Sequence, residues 1–431
     1  MIPGVVQWEE MLQVFLPVFT QPSGHLFLRL ASGWALCVGR HTVTRVCLVA
    51  DPRRVRQHDA YHRFFPDGAW KFPSLWRLLA IQAVAACCPF GPISLALDDT
   101  LYHKWGRKVE GAGWWRDAVR STSTKVVHAF GLNLVVLTLR VQPPWGGEPL
   151  GLPVNIRLHR KKGTSLLDLA EEMIREFASW FPDRDLSVCA DGFYAPLAGK
   201  DIPRVWITSR MRNDAAIYAP VQPSRGSKKP GRPRKKGKRL PIPRAMARAK
   251  KGWREVNVTM RGENKRRLVL VHDVLWYAVS KTRLMRLVIV RDPDGIEEDD
   301  FLFTTNLSAS PEMVAGDYAD RWAIEDTFKY TKQLLGAEDP QTWKGQGPER
   351  AAAFSFWIYS MIWLWYLRVH GTRRTWNPLP WYSCKTTPSF ADALAALRRA
   401  LWAHRVFPTS DAHSVPRKIA TTMIDMLATA A

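Results

Sequence analysis

The chain has 431 residues, with 62 Lys and Arg against 39 Asp and Glu, a formal charge of +23, 46% hydrophobic residues and 20 Trp. So apolar a composition excludes a disordered polycation, and the length allows roughly two or three domains of about 100–200 residues around a sizeable core. The excess charge therefore decorates a folded body and points to a polyanion, nucleic acid first, because each phosphate neutralised by Lys or Arg releases counterions.

The opening segment, MIPGVVQWEEMLQVF, lacks the basic start and apolar core of a signal peptide. Six cysteines, at 37, 47, 87, 88, 189 and 384, form no CxxC pair and read as buried thiols of a reducing, intracellular compartment. Residues 1–90 read as a helical domain, a candidate for DNA binding, from MLQVFLPVF, SGWALCVGRHTVTRVCLVA and SLWRLLAIQAVAACC. The stretch around GRHTVTRV could form a helix-turn-helix presenting Arg40, His41, Thr42, Thr44 and Arg45, although such helical pairs also serve as plain packing units.

From residue 92 the texture becomes that of strands. PISLALDDTLY, VVHAFGLNLVVLTLRV and GLPVNIRLHR are rich in β-branched and aromatic residues and suggest a meander. SLLDLAEEMIREFASWF then reads as an amphipathic helix and DLSVCADGFY as a short strand ending at Asp191. Residues 195–309 read as a β-rich insertion holding RVWITSR, REVNVTM, RLVLVHDVLWYAV, RLMRLVIVR and FLFTTN.

A basic arm over residues 222–254 lies within that insertion, and residues 225–254 carry fourteen Lys or Arg and no acid. Subtracting 14 from the net 23 leaves +9 for everything else, so the charge is concentrated here. Its Pro and Gly spacing opposes regular structure, which suits either a solvated linker or an arm that tracks DNA phosphates through Arg232, Arg234, Lys235, Lys236, Lys238 and Arg239.

The segment SPEMVAGDYADRWAIEDTFKYTKQLLG reads as one helix from Pro311 to the stop at Gly336. At roughly 100° per residue, Tyr318, Arg321, Glu325 and Lys332 fall within about 60° of one another, beside an apolar edge of Ile324, Phe328 and Leu335. Such a stripe suits a phosphodiester: a carboxylate to ligate a divalent metal, two cations to hold phosphates and a hydroxyl to add a hydrogen bond. A pair of metal ions needs further carboxylates, and Asp99 and Asp191 stand at strand ends where a helix could face them. Asp98 competes with Asp99, since alternation along a strand lets only one face the site.

The spacing Tyr318-x2-Arg321-x3-Glu325-x6-Lys332 resembles the YREK signature of the DDE transposases of bacterial insertion sequences, and LALDDTLYHKWGRKVEGAG and VCADGFYAP look like that group's two aspartate regions. The resemblance implies an α/β RNase H-like catalytic domain interrupted by the β-rich insertion, with residues 91–194 as its first part and 310–345 as its catalytic helix. Residues 346–431 would follow as a helical C-terminal region. It further implies Asp99, Asp191 and Glu325 as catalytic metal ligands for Mg2+, or Mn2+, in a pair. Asp99 is preferred to Asp98 because the family's aspartate usually precedes Thr, here Thr100.

On that reading the protein is a transposase of the bacterial cytoplasm and nucleoid, cleaving and joining double-stranded DNA at the ends of its own element as a homodimer. Tyr318, Arg321, Lys332, Trp322, Lys104 and Arg107 would contact DNA. The alternatives are a non-catalytic DNA-binding relic or repressor and a host DNA nuclease on the same fold. The apolar run at 351–367 is short of the roughly 20 residues a bilayer needs and reads as a buried helix rather than a membrane span. No HExxH, P-loop or GxSxG motif is present.

Overall fold

The computed structural model describes residues 3–122, 124–221, 235–376, 381–407 and 415–430. The helical start comprises α1 (Pro3–Gln13), α2 (Gln21–Leu36), α3 (Val43–Ala50), α4 (His58–Phe64) and α5 (Phe72–Cys87). These helices are not a free-standing unit. Trp8, Phe27, Trp34 and Trp76 belong to the same buried cluster as the sheet residues and as α10 (Gly347–Val369).

The sheet begins with β1 (Ile93–His103), a short β2 (Gly113–Arg116), β3 (His128–Val141) and β4 (Leu150–His159), in which β1 pairs antiparallel with β3 and β3 with β4. The expected meander is therefore present. β2, too short and too rich in Trp and Gly to stand out, pairs with the start of β3. Helix α6 (Leu166–Trp180) is capped by the Ser165 hydroxyl, which accepts from the Asp168 N–H, and buries Leu169, Ala170, Met173, Ile174 and Phe177.

β5 (Leu186–Ala190) then lies parallel to β1, and β6 (Val205–Arg210) parallel to β5. The order β4-β3-β1-β5-β6, with β3 alone antiparallel to its neighbours, is that of an RNase H-like sheet. β6 was expected inside the insertion. Its parallel pairing makes it the fifth strand of this sheet instead; a run of six residues that is mostly buried reads the same in either setting.

Beyond β6 the sheet continues through β10 (Asp300–Thr304), β9 (Met285–Arg291), β8 (Glu263–Val274) and β7 (Arg254–Met260), all antiparallel, so the insertion extends the core sheet instead of forming a separate layer. The short α7 (Pro243–Met246) precedes β7.

The chain returns through α8 (Pro311–Asp320) and α9 (Ala323–Gln333). The single helix expected over 311–335 is broken at Arg321–Trp322, where the bonds tighten to i→i−3: Arg321 N–H to Tyr318 O at 3.3 Å and Trp322 N–H to Ala319 O at 3.2 Å. α10 buries every residue from Arg350 to Tyr366, as a core helix. Among the described residues no helix is long and apolar enough to cross a membrane. α11 (Phe390–Val406) and α12 (Val415–Thr429) follow.

Three sequence expectations are corrected here. Cys37, Cys47 and Cys189 are buried, but Cys87 and Cys88 are half-buried and Cys384 is exposed. The turn between α2 and α3 is partly consumed by the fold: His41 is buried with its backbone N–H on Asp339 Oδ2 at 2.8 Å, and Thr42 caps α3, which leaves Arg40, Thr44 and Arg45 exposed. The described part of the basic arm is not loose. Lys236 lies over the rings of Tyr218 and Tyr277 at 4.3 and 5.0 Å, Arg239 bridges to Tyr218, and Trp253 stacks under Arg291. Arg232 and Arg234 lie outside the described residues.

Candidate active site

The parallel register of β1 and β5 sets Leu97 beside Ala190, so the next residues lie side by side: Asp191 just past the carboxyl end of β5, and Asp98 midway along the longer β1, not at a strand end as expected for the first acid. Ligand sites of open α/β sheets lie at such ends. Asp191 also starts a 3-10 turn over Gly192–Gly199, its carboxylate accepting from the Phe193 N–H at 3.0 Å.

Alternation along β1 separates the two adjacent acids. Asp98 shares a face with Tyr102, whose hydroxyl meets Thr331 Oγ1 of α9 at 2.9 Å. That is the face covered by α9. Asp99 turns the other way, and its Oδ1 accepts from the Tyr194 hydroxyl at 2.9 Å.

α9 is drawn close to the sheet by small residues and hydroxyls. The Thr327 hydroxyl donates to Gly151 O of β4 at 2.7 Å, and a Cβ at Gly151 would lie 2.7 Å from Ala323 O. Ile324, Phe328 and Thr331 are buried in this contact, leaving Glu325 on the edge near Asp98. α8 is held by Arg140, buried beneath it, which donates to Asp317 O and Oδ1 at 2.6 and 2.7 Å.

Arg321, at the break between the helices, joins the acids. Its Nη1 is 2.6 Å from Asp98 Oδ2 and 3.9 Å from Glu325 Oε1, with its side chain 11% exposed. Burial pushes the Asp98 carboxyl up to about 7; Arg321 opposes this, while Asp191, Asp99 and Glu325 reinforce it. Burial also raises Asp99, against the hydrogen bond from Tyr194. Asp98 thus feels both other acids of the site, whereas Asp99 feels Asp191 without Glu325. It is Asp98, and not the expected Asp99, that lies against Arg321 and Glu325 on the side covered by α9. A following Thr is a weak guide to which of two neighbours faces inward.

Tyr318 is nearly buried, with Arg210 and Arg321 near its ring at 5.4 and 5.6 Å. Lys332 Nζ donates to Leu101 O at 3.0 Å beside the Tyr102 ring, and burial lowers its pKa. The four signature residues therefore remain on one side of the sheet despite the helix break. Trp322 is exposed, with Arg261 over its ring at 5.5 Å. Lys104 is buried and donates to Glu338 O and Pro340 O at 2.7 and 3.2 Å; burial lowers its pKa to about 8. It is a brace in the fold, while Arg107 is exposed. Sequence reasoning missed Tyr194, Arg140 and Arg210, single polar residues in apolar runs that no pattern marks.

Asp98, Asp191 and Glu325 offer hard carboxylate oxygens, the donor type that Mg2+ and Mn2+ favour. As placed, with Asp98 drawn onto Arg321, no three His, Cys, Asp or Glu side chains among the described residues are grouped to hold an ion. The buried Nε of Arg321 has no hydrogen-bond partner, so its donors are not fully satisfied by the protein.

The profile of the family described as "DDE superfamily endonuclease" matches residues 15–282, more than half of the chain. This chain belongs to the DDE endonuclease superfamily. The match includes Asp98, Asp99 and Asp191 and ends before Glu325, and it names the superfamily, not the narrower YREK group. Among solved structures, the cryo-EM structure of a piggyBac transposase synaptic complex with hairpin DNA is similar at 9% identity and a TM-score of 0.44, covering 98% of this chain and 85% of that one. No curated protein matches.

Proposed function

We propose that this DDE superfamily endonuclease is a transposase that cleaves DNA at the ends of its own element and joins the freed 3′-OH to target DNA. The observation that carries the reading is the meeting of Asp98, midway along β1, with Asp191, just past the end of the neighbouring β5, and with Glu325 on the helix packed across them. Asp98, rather than Asp99, would act with Asp191 and Glu325 as the metal-binding set. A pair of Mg2+ ions, with Mn2+ able to substitute, would supply the Lewis acidity that stabilises charge on the attacking and leaving oxygens.

The chain's own residues do the rest. Asp99, held by Tyr194, braces β1 beside Asp98. Arg321 neutralises the acid cluster in the free protein, and its guanidinium fork suits a phosphate once Asp98 is released. Lys332 and Tyr318 flank it with a cation and a hydroxyl. Trp322, Arg107 and the basic segment around Arg232, Arg234, Lys235, Lys236, Lys238 and Arg239 would track the duplex, and the helices of residues 1–90 would add contacts through Arg40 and Arg45. The working form would be a homodimer, because two ends must be brought together. Its place would be the bacterial cytoplasm, where the DNA lies.

The test is cleavage of labelled DNA spanning the borders of the gene, with Mg2+ or Mn2+, by wild type and Glu325→Gln. Metal-dependent 3′-OH ends at a fixed border, absent with the variant, support the reading. Binding with no cleavage by wild type points to a non-catalytic DNA-binding protein, and cutting without joining points to a nuclease.

A further inference from the structure

Beyond the carboxyl end of β1 lies a cavity of about 1240 Å³, walled by the turn after His103, by β2 and the start of β3, and by the segment 338–343. It lies outside the acid cluster. Three indoles face it with much of their surface in solvent: Trp105 at 96%, Trp114 at 60% and Trp343 at 47% exposure. Large apolar side chains left open together mark a binding surface, since hiding any one of them would stabilise the fold.

Its charge is just as specific. Arg107, Lys108 and Arg120 line the cavity and are exposed, and the side chains of Arg107 and Lys108 make no hydrogen bond or ion pair within the described residues. The acids nearby are already engaged: Glu338 accepts from the His103 N–H and Asp339 from the His41 N–H, both at 2.8 Å. The walls are rigid, because Lys104 ties 338–340 to β1 and the Glu110 N–H donates to Trp343 O at 2.9 Å. Arg120 is paired with Asp117 at 3.5 Å, but Arg107 and Lys108 are not paired among the described residues, so a cavity with two open cations and open indoles suits a ligand carrying both phosphates and planar rings. Its volume exceeds the roughly 300–1,000 Å³ of small-molecule sites, which favours a polymer segment over a free nucleotide.

The position is within reach of the acid cluster. His103 lies five positions beyond Asp98 on β1, about 17 Å at a strand rise of about 3.3 Å. A few nucleotides of a DNA strand span that distance. We propose that this cavity receives unpaired nucleotides of the DNA whose phosphodiester lies at Asp98 and Glu325, with bases stacked on Trp105, Trp114 and Trp343 and phosphates on Arg107, Lys108 and Arg120. The inference rests on the DNA-cleaving reading above.

The test compares, without metal, the affinity of the full chain for a blunt duplex and for the same duplex with a five-nucleotide unpaired extension. Stacking of one base contributes about 1–3 kcal/mol, so wild type should favour the extension by at least about fivefold. Trp105→Ala with Trp343→Ala should remove that preference and leave blunt-duplex affinity within about twofold. 2-Aminopurine in the extension should be quenched by wild type and not by the double variant. Because Trp105 and Trp343 are exposed at 96% and 47%, the variant should keep the wild-type thermal unfolding curve; should it not, quenching by Lys108→Ser, measured at protein concentrations that saturate the blunt duplex and expected to be weaker than wild type, decides the matter. Equal wild-type affinity for both DNAs, or a preference that survives the substitutions, overturns the proposal while leaving border cleavage intact. Failure to bind either DNA removes both readings.

Discussion

Arg321 Nη1 sits 2.6 Å from Asp98 Oδ2, so a guanidinium from the α8–α9 break stands on the acid midway along β1. Three carboxylates near one another repel, and burial alone raises the energy of the charged Asp98. In the free protein Arg321 offsets both effects. Its removal leaves Asp98 in the same place with no counter-charge.

Arg321→Ala should therefore lower the unfolding free energy at pH 8 by about 1–3 kcal/mol, the cost of leaving a largely buried carboxyl without its hydrogen-bond partner. Arg321→Lys, which restores charge without the planar fork, should recover part of it. Urea unfolding of the three proteins measures this; an Arg321→Ala midpoint equal to wild type would show that the pair carries no net stability.

His41 predicts an acid sensitivity far from the acid cluster. It is 1% exposed, and burial drops its pKa to about 4, outweighing the Gly39 and Trp34 carbonyls that favour the imidazolium. A base whose folded pKa is depressed contributes stability that is fully present above its unfolded pKa of 6.5 and is lost as the pH falls through the folded value. The window is thus pH 6.5 down to about 4, and the loss approaches about 3 kcal/mol. His41→Gln should flatten the slope of stability against pH in that window. An unchanged slope would place the acid sensitivity elsewhere.

Gly151 tests how α9 is seated. A Cβ there would press on Ala323 O and Thr327 Oγ1, at 2.7 and 3.0 Å. Gly151→Ala should cost about 1–3 kcal/mol of stability by overpacking. If it displaces Glu325 by even about 1 Å, cleavage should fall by up to about 10²-fold. Stability loss with full activity would mean that α9 yields without moving Glu325.

Much of this framework is readable from residue patterns. The β-branched runs of β1, β3 and β4, the amphipathic α6 and the acid after β5 follow from local periodicity that tertiary packing reinforces. The wholly buried α10 likewise follows from a run too short for a bilayer. What escapes is long-range. β6 joins the core sheet through a partner, β5, chosen by topology and not by its own residues. The break at Arg321 has no Gly or Pro to announce it. Asp98 and Asp99 are equivalent as letters, and only the pairing of β1 with β3 and β5, together with the side taken by α9, separates them. The three indoles facing the cavity look no different in sequence from the buried Trp8, Trp34 and Trp76.

The most direct measurement is metal-dependent cleavage of border DNA by Asp98→Asn and Asp99→Asn proteins, both shown to be folded. The geometry predicts that Asp98→Asn loses at least about 10²–10³-fold in rate, as for loss of a group that stabilises the reacting charge, and that Asp99→Asn stays within about tenfold of wild type. Full activity of Asp98→Asn with loss in Asp99→Asn would contradict the account.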